Sequence, residues 1–300
     1  MLLPFLLAAA VALAQAPTPP PLPQNPSPMT DTTRPHPRVA AYEPRGQRAA
    51  LDVGRLFVRD GLKPAGRLPF IVHVHGAPWL AEHHVAGLGE PAVLVSVNLG
   101  SGSRVYAAAF AEPAAFARLL EQAAAATARL LGAPVAADPI ILTSFSAGYG
   151  AVRAILRVPE HYARIDAVLL ADSLHAGYLG ADTAGPRTQD LPVDGGDLDA
   201  FLRFAGDAAA GRKRFLVTHS EVYPGTYAST TETADLLLSH VGLRRRADLR
   251  EAPLGMQQLS ATSRGGFTVR GYAGNSAPDH LDHLYALGAW LAEWGLRPAR

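Results

Sequence analysis

Ser146 stands where a hydroxyl could become a nucleophile. The apolar run 139–145 (PIILTSF) leads directly into Ser144-Phe145-Ser146-Ala147-Gly148-Tyr149-Gly150, and a helical pattern with Val152, Ile155 and Leu156 on one face follows. A serine on such a strand-to-helix turn has its Oγ lifted above the edge of a sheet, where it can attack an acyl carbon. The turn is strained and crowded, so the residues two before and two after it must be small. They are Ser144 and Gly148, with Ser144 itself the lesser candidate for nucleophile. The chain has no cysteine, which leaves serine, histidine and carboxylates to carry chemistry. His73 and His75 alternate onto one strand face, with His83 and His84 close behind, but no carboxylate or further histidine completes a zinc spacing. No metal and no cofactor is expected.

The elements that must hold this turn are legible as apolar runs. Strands are predicted at 50–58, 68–74, 92–99, 139–145, 165–171, 215–219 and 266–272, most of them near-continuously apolar, as suits strands buried on both faces of a parallel sheet. Arg59-Asp60-Gly61 is a hairpin signal between the first two. Helical patterns fill the gaps at 105–131, 147–158, 198–210, 230–241 and 282–294. The order predicts an α/β protein with a doubly wound, mainly parallel sheet flanked by helices, opened by an antiparallel pair. Its site should lie at the carboxyl ends of the strands.

With strand, turn and helix in this order, residues 50–296 resemble the α/β-hydrolase superfamily, whose pattern is Gly-x-Ser-x-Gly. Ser144 departs from that pattern where the family usually has Gly. The resemblance implies a serine esterase-like activity with the chain order nucleophile, acid, base. It also gives a role to His75-Gly76-Ala77-Pro78-Trp79 after the strand ending at Val74, since a His-Gly there opens the loop that supplies one oxyanion-hole amide. The backbone N–H groups of Ala77 and Ala147 are the implied donors, because Pro78 has no N–H. Only His280 and His283 lie beyond the last predicted strand. His280, delivered by the loop 273–279 to a loop–helix junction, is the preferred base, and His283 is the alternative. For the acid, Asp172 terminates an apolar strand and is preferred, while Glu221 follows the next strand at the position more usual for the superfamily.

The segment 173–197 lies where this superfamily commonly inserts a cap, but it is rich in Gly, Pro and Asp and contains no apolar helix for an oil surface. Trp79, Tyr149, His175 and Tyr178 are the candidate lining of a cleft for a polar ester with some flat surface, either a small molecule or a carbohydrate-linked one. Tyr223 and Tyr227 could join them. A peptidase or amidase on the same residues, or a hydrolase-like binding protein without turnover, are the competing readings.

Composition sets the outer limits. The 300 residues are 48% hydrophobic with a net charge of +1, which suits one catalytic domain over 39–300 and gives no electrostatic footprint for nucleic acid. Residues 1–16 (MLLPFLLAAAVALAQA) read as a bacterial-type signal peptide ending in Ala14-Gln15-Ala16, with a run too short to span a bilayer. Residues 17–38 are rich in proline and polar side chains and read as a disordered tether. A secreted or periplasmic enzyme whose mature domain does not insert into a membrane is the expectation.

Overall fold

The computed structural model describes residues 34–180 and 191–295. The signal-peptide reading of 1–16, and the tether as far as residue 33, lie outside the described residues. A ten-stranded sheet forms the centre, in the order β1-β2-β4-β3-β5-β6-β7-β10-β9-β8. The strands are β1 (Gly46–Ala50), β2 (Arg55–Arg59), β3 (Arg67–Val74), β4 (Val93–Val97), β5 (Ala136–Phe145), β6 (Ile165–Ala171), β7 (Arg214–His219), β8 (Ala247–Glu251), β9 (Gln257–Arg264) and β10 (Phe267–Tyr272). From β4 through β3, β5, β6 and β7 to β10 every neighbour is parallel, and antiparallel pairs close both edges.

Helices cover both faces because the central strands are apolar on both. Alternate residues of β5 go opposite ways: Ile140 and Leu142 join a core packed by helices α2 (Ser103–Ala109), α3 (Ala115–Leu131), α4 (Tyr149–Leu156), α6 (Asp199–Ala209) and α7 (Thr230–His240). Ile141 and Phe145 join a second core packed by α1 (Pro78–Ala86), α8 (Ala277–Tyr285) and α9 (Leu287–Ala292). Each fully buried Leu, Ile or Phe stabilises by about 1.5–3 kcal/mol, so the two cores fix the strand ends from both sides. The architecture is the expected doubly wound, mainly parallel sheet flanked by helices, and among the described residues no helix is long and apolar enough to cross a membrane.

Several boundaries differ from the sequence reading. The single strand expected at 50–58 is a hairpin, β1 and β2, turning at Leu51 and Gly54. The turn at Arg59-Asp60-Gly61 does not pair β2 with β3, since β2 lies against β4 instead. Burial on both faces gives β3 its central place between β4 and β5, and this outweighs the local turn signal. Pro113, which lacks an N–H, separates α2 from α3 where one helix was expected over 105–131. Helix α1, the short α5 (Pro159–Arg164), the polar edge strand β8 and its neighbour β9 carry weak patterns and escaped the sequence reading. The last helix starts earlier than 282, so His280 lies inside α8 rather than at its junction with the preceding loop. Finally, the end of the expected tether is anchored: Arg34, His36 and Arg38 bond to α8.

Candidate active site

The turn after β5 has the geometry that the sequence asked for. Phe145 is extended, with φ −119° and ψ 142°, and Ser146 then takes φ 47°, in the left-handed region, before a 3-10 turn (Ser146–Gly148) leads into α4. A left-handed serine costs roughly 1–3 kcal/mol and persists only where its surroundings enforce it. Two features do so. A Cβ on Gly148 would lie 2.3 Å from the Val74 carbonyl oxygen, so β3 and the turn approach as closely as backbone permits. Ser144 donates from Oγ to Ser173 Oγ at 2.8 Å, and Ser173 donates in turn to the Ser146 carbonyl at 2.7 Å. Ser144 is fully buried in this relay, which removes it as a nucleophile candidate and explains how a serine serves where glycine is usual.

At the end of β6 stands Asp172, also left-handed at φ 45° and buried. Its Oδ1 accepts from the Ser220 amide at 2.9 Å and from Thr230 Oγ1. Its Oδ2 accepts from Ser220 Oγ and from His280 Nδ1, both at 2.6 Å. Burial works to raise its pKa, but the imidazoles of His283 and His280 and the Ser220 hydroxyl outweigh it and hold the carboxyl well below the usual range. His280 sits one residue past the Ser276–Asp279 capping box of α8, and its ring packs against Phe145 at 4.5 Å between centroids. With Nδ1 committed to Asp172, Nε2 is the nitrogen left to act on a substrate or on Ser146. Among the described residues no hydrogen bond joins the Ser146 hydroxyl to His280; the ring lies beside the preceding residue.

The alternatives occupy other places. Glu221 is exposed at the end of β7 and pins the Gly274 loop, its amide donating to the Gly274 carbonyl at 2.9 Å and its Oε2 accepting from the Gly274 amide at 3.2 Å. His283 is buried with Nδ1 bonded to Thr218 Oγ1 at 2.8 Å and its ring against Tyr272 and Trp290, and burial lowers its pKa to about 4. The structure thus joins Asp172 with His280 and leaves Glu221 and His283 out of that pair.

A cleft of about 470 Å³ opens over Ser146, lined among others by His75, Ala147, Tyr149, Arg153, His175 and Tyr227. Ala147 follows Ser146 into it, whereas Ala77 begins α1 with its side chain against the second core, and His75 is the member of that loop lining the cleft. His175 donates Nδ1–H to the Ala228 carbonyl at 2.9 Å, and burial lowers its pKa; its ring meets Tyr149 and Tyr227 edge to face. Trp79 and Tyr178, also expected in the lining, stand apart from this cleft. Trp79 packs between Tyr42 and Tyr285, and Tyr178 is buried with its hydroxyl donating to Glu232. Tyr223 borders a separate hollow with His219. Arg153, ion-paired with Asp197 at 2.7 Å, escaped the sequence reading, and His75 was read only as a zinc candidate and as the opening of the oxyanion loop, because neither helix periodicity nor strand alternation marks which side chains face a cleft.

No protein-family model matches the chain, and comparison with curated proteins found no match. Among solved structures it is similar to an esterase from Pyrobaculum calidifontis, at 14% identity and a TM-score of 0.44, over 85% of this chain and 87% of that one. It is also similar to carboxyl esterase 2 from Tuber melanosporum, at 15% identity and a TM-score of 0.40, over 87% and 89%. A third is the enterobactin esterase from Shigella flexneri, at 12% identity and a TM-score of 0.46; 84% of this chain matches 61% of that one.

Proposed function

We propose that the protein is a serine hydrolase that cleaves ester bonds, with Ser146 as nucleophile, His280 as general base and acid, and Asp172 as the group that orients the imidazole. The observation that carries this is the left-handed Ser146 on a strand-to-helix turn, at the same sheet edge as the buried Asp172 and its partly buried partner His280. In the acylation step Ser146 Oγ forms a bond to the acyl carbon and its proton passes to His280 Nε2. The carbonyl electron pair moves onto oxygen, received by the Ala147 and Ala77 amides, each worth about 3 kcal/mol in sites of this kind. The pair then returns, the C–O bond to the alcohol breaks, and His280 gives its proton to the leaving oxygen. Water repeats the sequence on the acyl-enzyme. Asp172 keeps Nδ1 protonated throughout and stabilises the transient imidazolium.

The aromatic-walled cleft, with the Arg153–Asp197 ion pair in its lining, favours a polar ester of a small molecule or a carbohydrate. The segment 1–16 makes export to the periplasm or medium part of the proposal. Labelling with a fluorophosphonate and peptide mapping tests the reading: an adduct on Ser146, absent in Ser146→Ala, is expected. Turnover of a 4-nitrophenyl ester should fall by roughly 10⁴-fold in Asp172→Asn and by less than about threefold in Glu221→Gln. A folded protein that takes no label would favour a binding protein; equal losses in both carboxylate variants would remove Asp172 from its role.

A further inference from the structure

Helix α8 carries two buried carboxylates, one on each side of His280. Asp279 is 2% exposed and Asp282 is fully buried. A carboxylate inside a protein needs hydrogen-bonded positive charge close by, or it destabilises its own surroundings. Among the described residues, the ion partners of both come from one short segment, 34–38. Arg34 donates from Nε and Nη2 to Asp279 Oδ1, at 3.1 and 2.8 Å, and from Nη2 to Asp282 Oδ2. His36 Nδ1 meets the same Asp282 oxygen at 2.8 Å. Arg38 Nη2 donates to Asp282 Oδ1 and to the Pro278 carbonyl, both at 2.6 Å, while its guanidinium lies 4.9 Å over the Tyr285 ring. His36, Asp279 and Asp282 bring three donor atoms within 4.8 Å of one another, a spacing open to a cation, but two guanidinium groups already supply the positive charge there.

The bonds fall on the part of α8 that sets the place of His280. Asp279 Oδ2 accepts from the Ser276 amide and hydroxyl, at 3.1 and 2.6 Å, closing the capping box, and Arg34 holds the other oxygen of that carboxylate. Packing is tight enough that a Cβ on Gly274 would lie 2.2 Å from Asp279 Cγ. Pro278, whose carbonyl Arg38 takes, is two residues before His280. Arg34 also reaches the Leu254 carbonyl at 3.4 Å, so the segment ties α8 to the loop between β8 and β9.

We infer that residues 34–38 form a strap whose Arg34 and Arg38 are positioning residues for His280, acting through the Asp279 and Asp282 carboxylates of α8. The inference rests on the reading of His280 as the base, and its test keeps the two apart. The first readout does not need turnover. A short N–H···O⁻ bond such as His280 Nδ1 to Asp172 gives a proton resonance at low field, assigned by its loss in His280→Gln. In full-length Arg34→Gln and Arg38→Gln this resonance should shift or broaden, and kcat on a 4-nitrophenyl ester should fall by roughly 10–100-fold with KM changed less than about threefold. Because either variant leaves a buried charge, Arg38→Gln is also combined with Asp282→Asn, which restores neutrality without restoring the strap. The altered resonance should persist in that folded double variant. Recovery of the wild-type resonance and kcat there would overturn the inference, as would single variants indistinguishable from wild type or a wild-type protein without the resonance. A strap-dependent resonance in a protein without turnover would leave the inference standing and remove the proposed function.

Discussion

Moving from pH 7.5 to pH 5.5 is expected to remove about 4 kcal/mol of folding stability, through three histidines that the fold buries uncharged. His73 hydrogen-bonds Thr143 Oγ1 through Nδ1, His84 donates Nε2–H to the Leu284 carbonyl, and His283 is held by Thr218. Burial is the main cause that lowers their pKa values, to about 4, about 3 and about 4. In the unfolded chain each takes a proton near pH 6.5. Between the two values the unfolded state binds more protons than the native state, so stability falls as the pH falls. Each histidine contributes about 1.4 kcal/mol by pH 5.5, and almost nothing at pH 7.5. His75, His175 and His219 are lowered too and act in the same direction. A loss of about 4 kcal/mol is large against the 5–15 kcal/mol of an ordinary domain. With a urea slope of about 2–3 kcal/mol/M, the unfolding midpoint should drop by roughly 1.3–2 M between the two pH values. His283→Gln should shrink that drop by about a third. A midpoint that moves by less than about 0.3 M would mean that these rings are charged or hydrated in the native state, contrary to their burial.

Two further outcomes follow from geometry and sequence. Gly148→Ala places a methyl 2.3 Å from the Val74 carbonyl oxygen and 3.0 Å from Ser144 Cβ, so the turn must move away from β3. It should cost about 1–3 kcal/mol in thermal or urea unfolding and lower kcat by roughly 10²-fold; full turnover would show that Ser146 does not depend on that close approach. Expressed from its own start in a bacterial host, the protein should reach the periplasm or medium with Pro17 as its first residue by Edman sequencing. Recovery only in the cytosol with residues 1–16 attached would end the export proposal.

Local chemistry made much of the arrangement legible. The alternation of apolar runs and helical patterns specified a doubly wound sheet because each run must be buried on both faces, whatever its neighbours are. The strand-to-helix turn at Ser146, the proposed nucleophile, was legible because it needs a strand, small flanking residues and a helix in immediate succession. Asp172 and His280 could be placed among candidates, since each lies where a strand or its following loop ends at one sheet edge. Their pairing, against Glu221 and His283, was decided in three dimensions: Ser220 and Thr230 build the carboxylate's nest, and the capping box of α8 turns His280 toward it. The same holds for Ser144, whose departure from the usual glycine became intelligible only with Ser173, 29 positions along the chain, beside it. Side-chain direction within a cleft has no sequence period, so Trp79 and Tyr178 read like Tyr149 and His175 yet point elsewhere. The strap was least legible of all. Its arginines follow a proline-rich stretch with no apolar face, and their partners lie some 240 positions away, so only the folded chain brings the charges together.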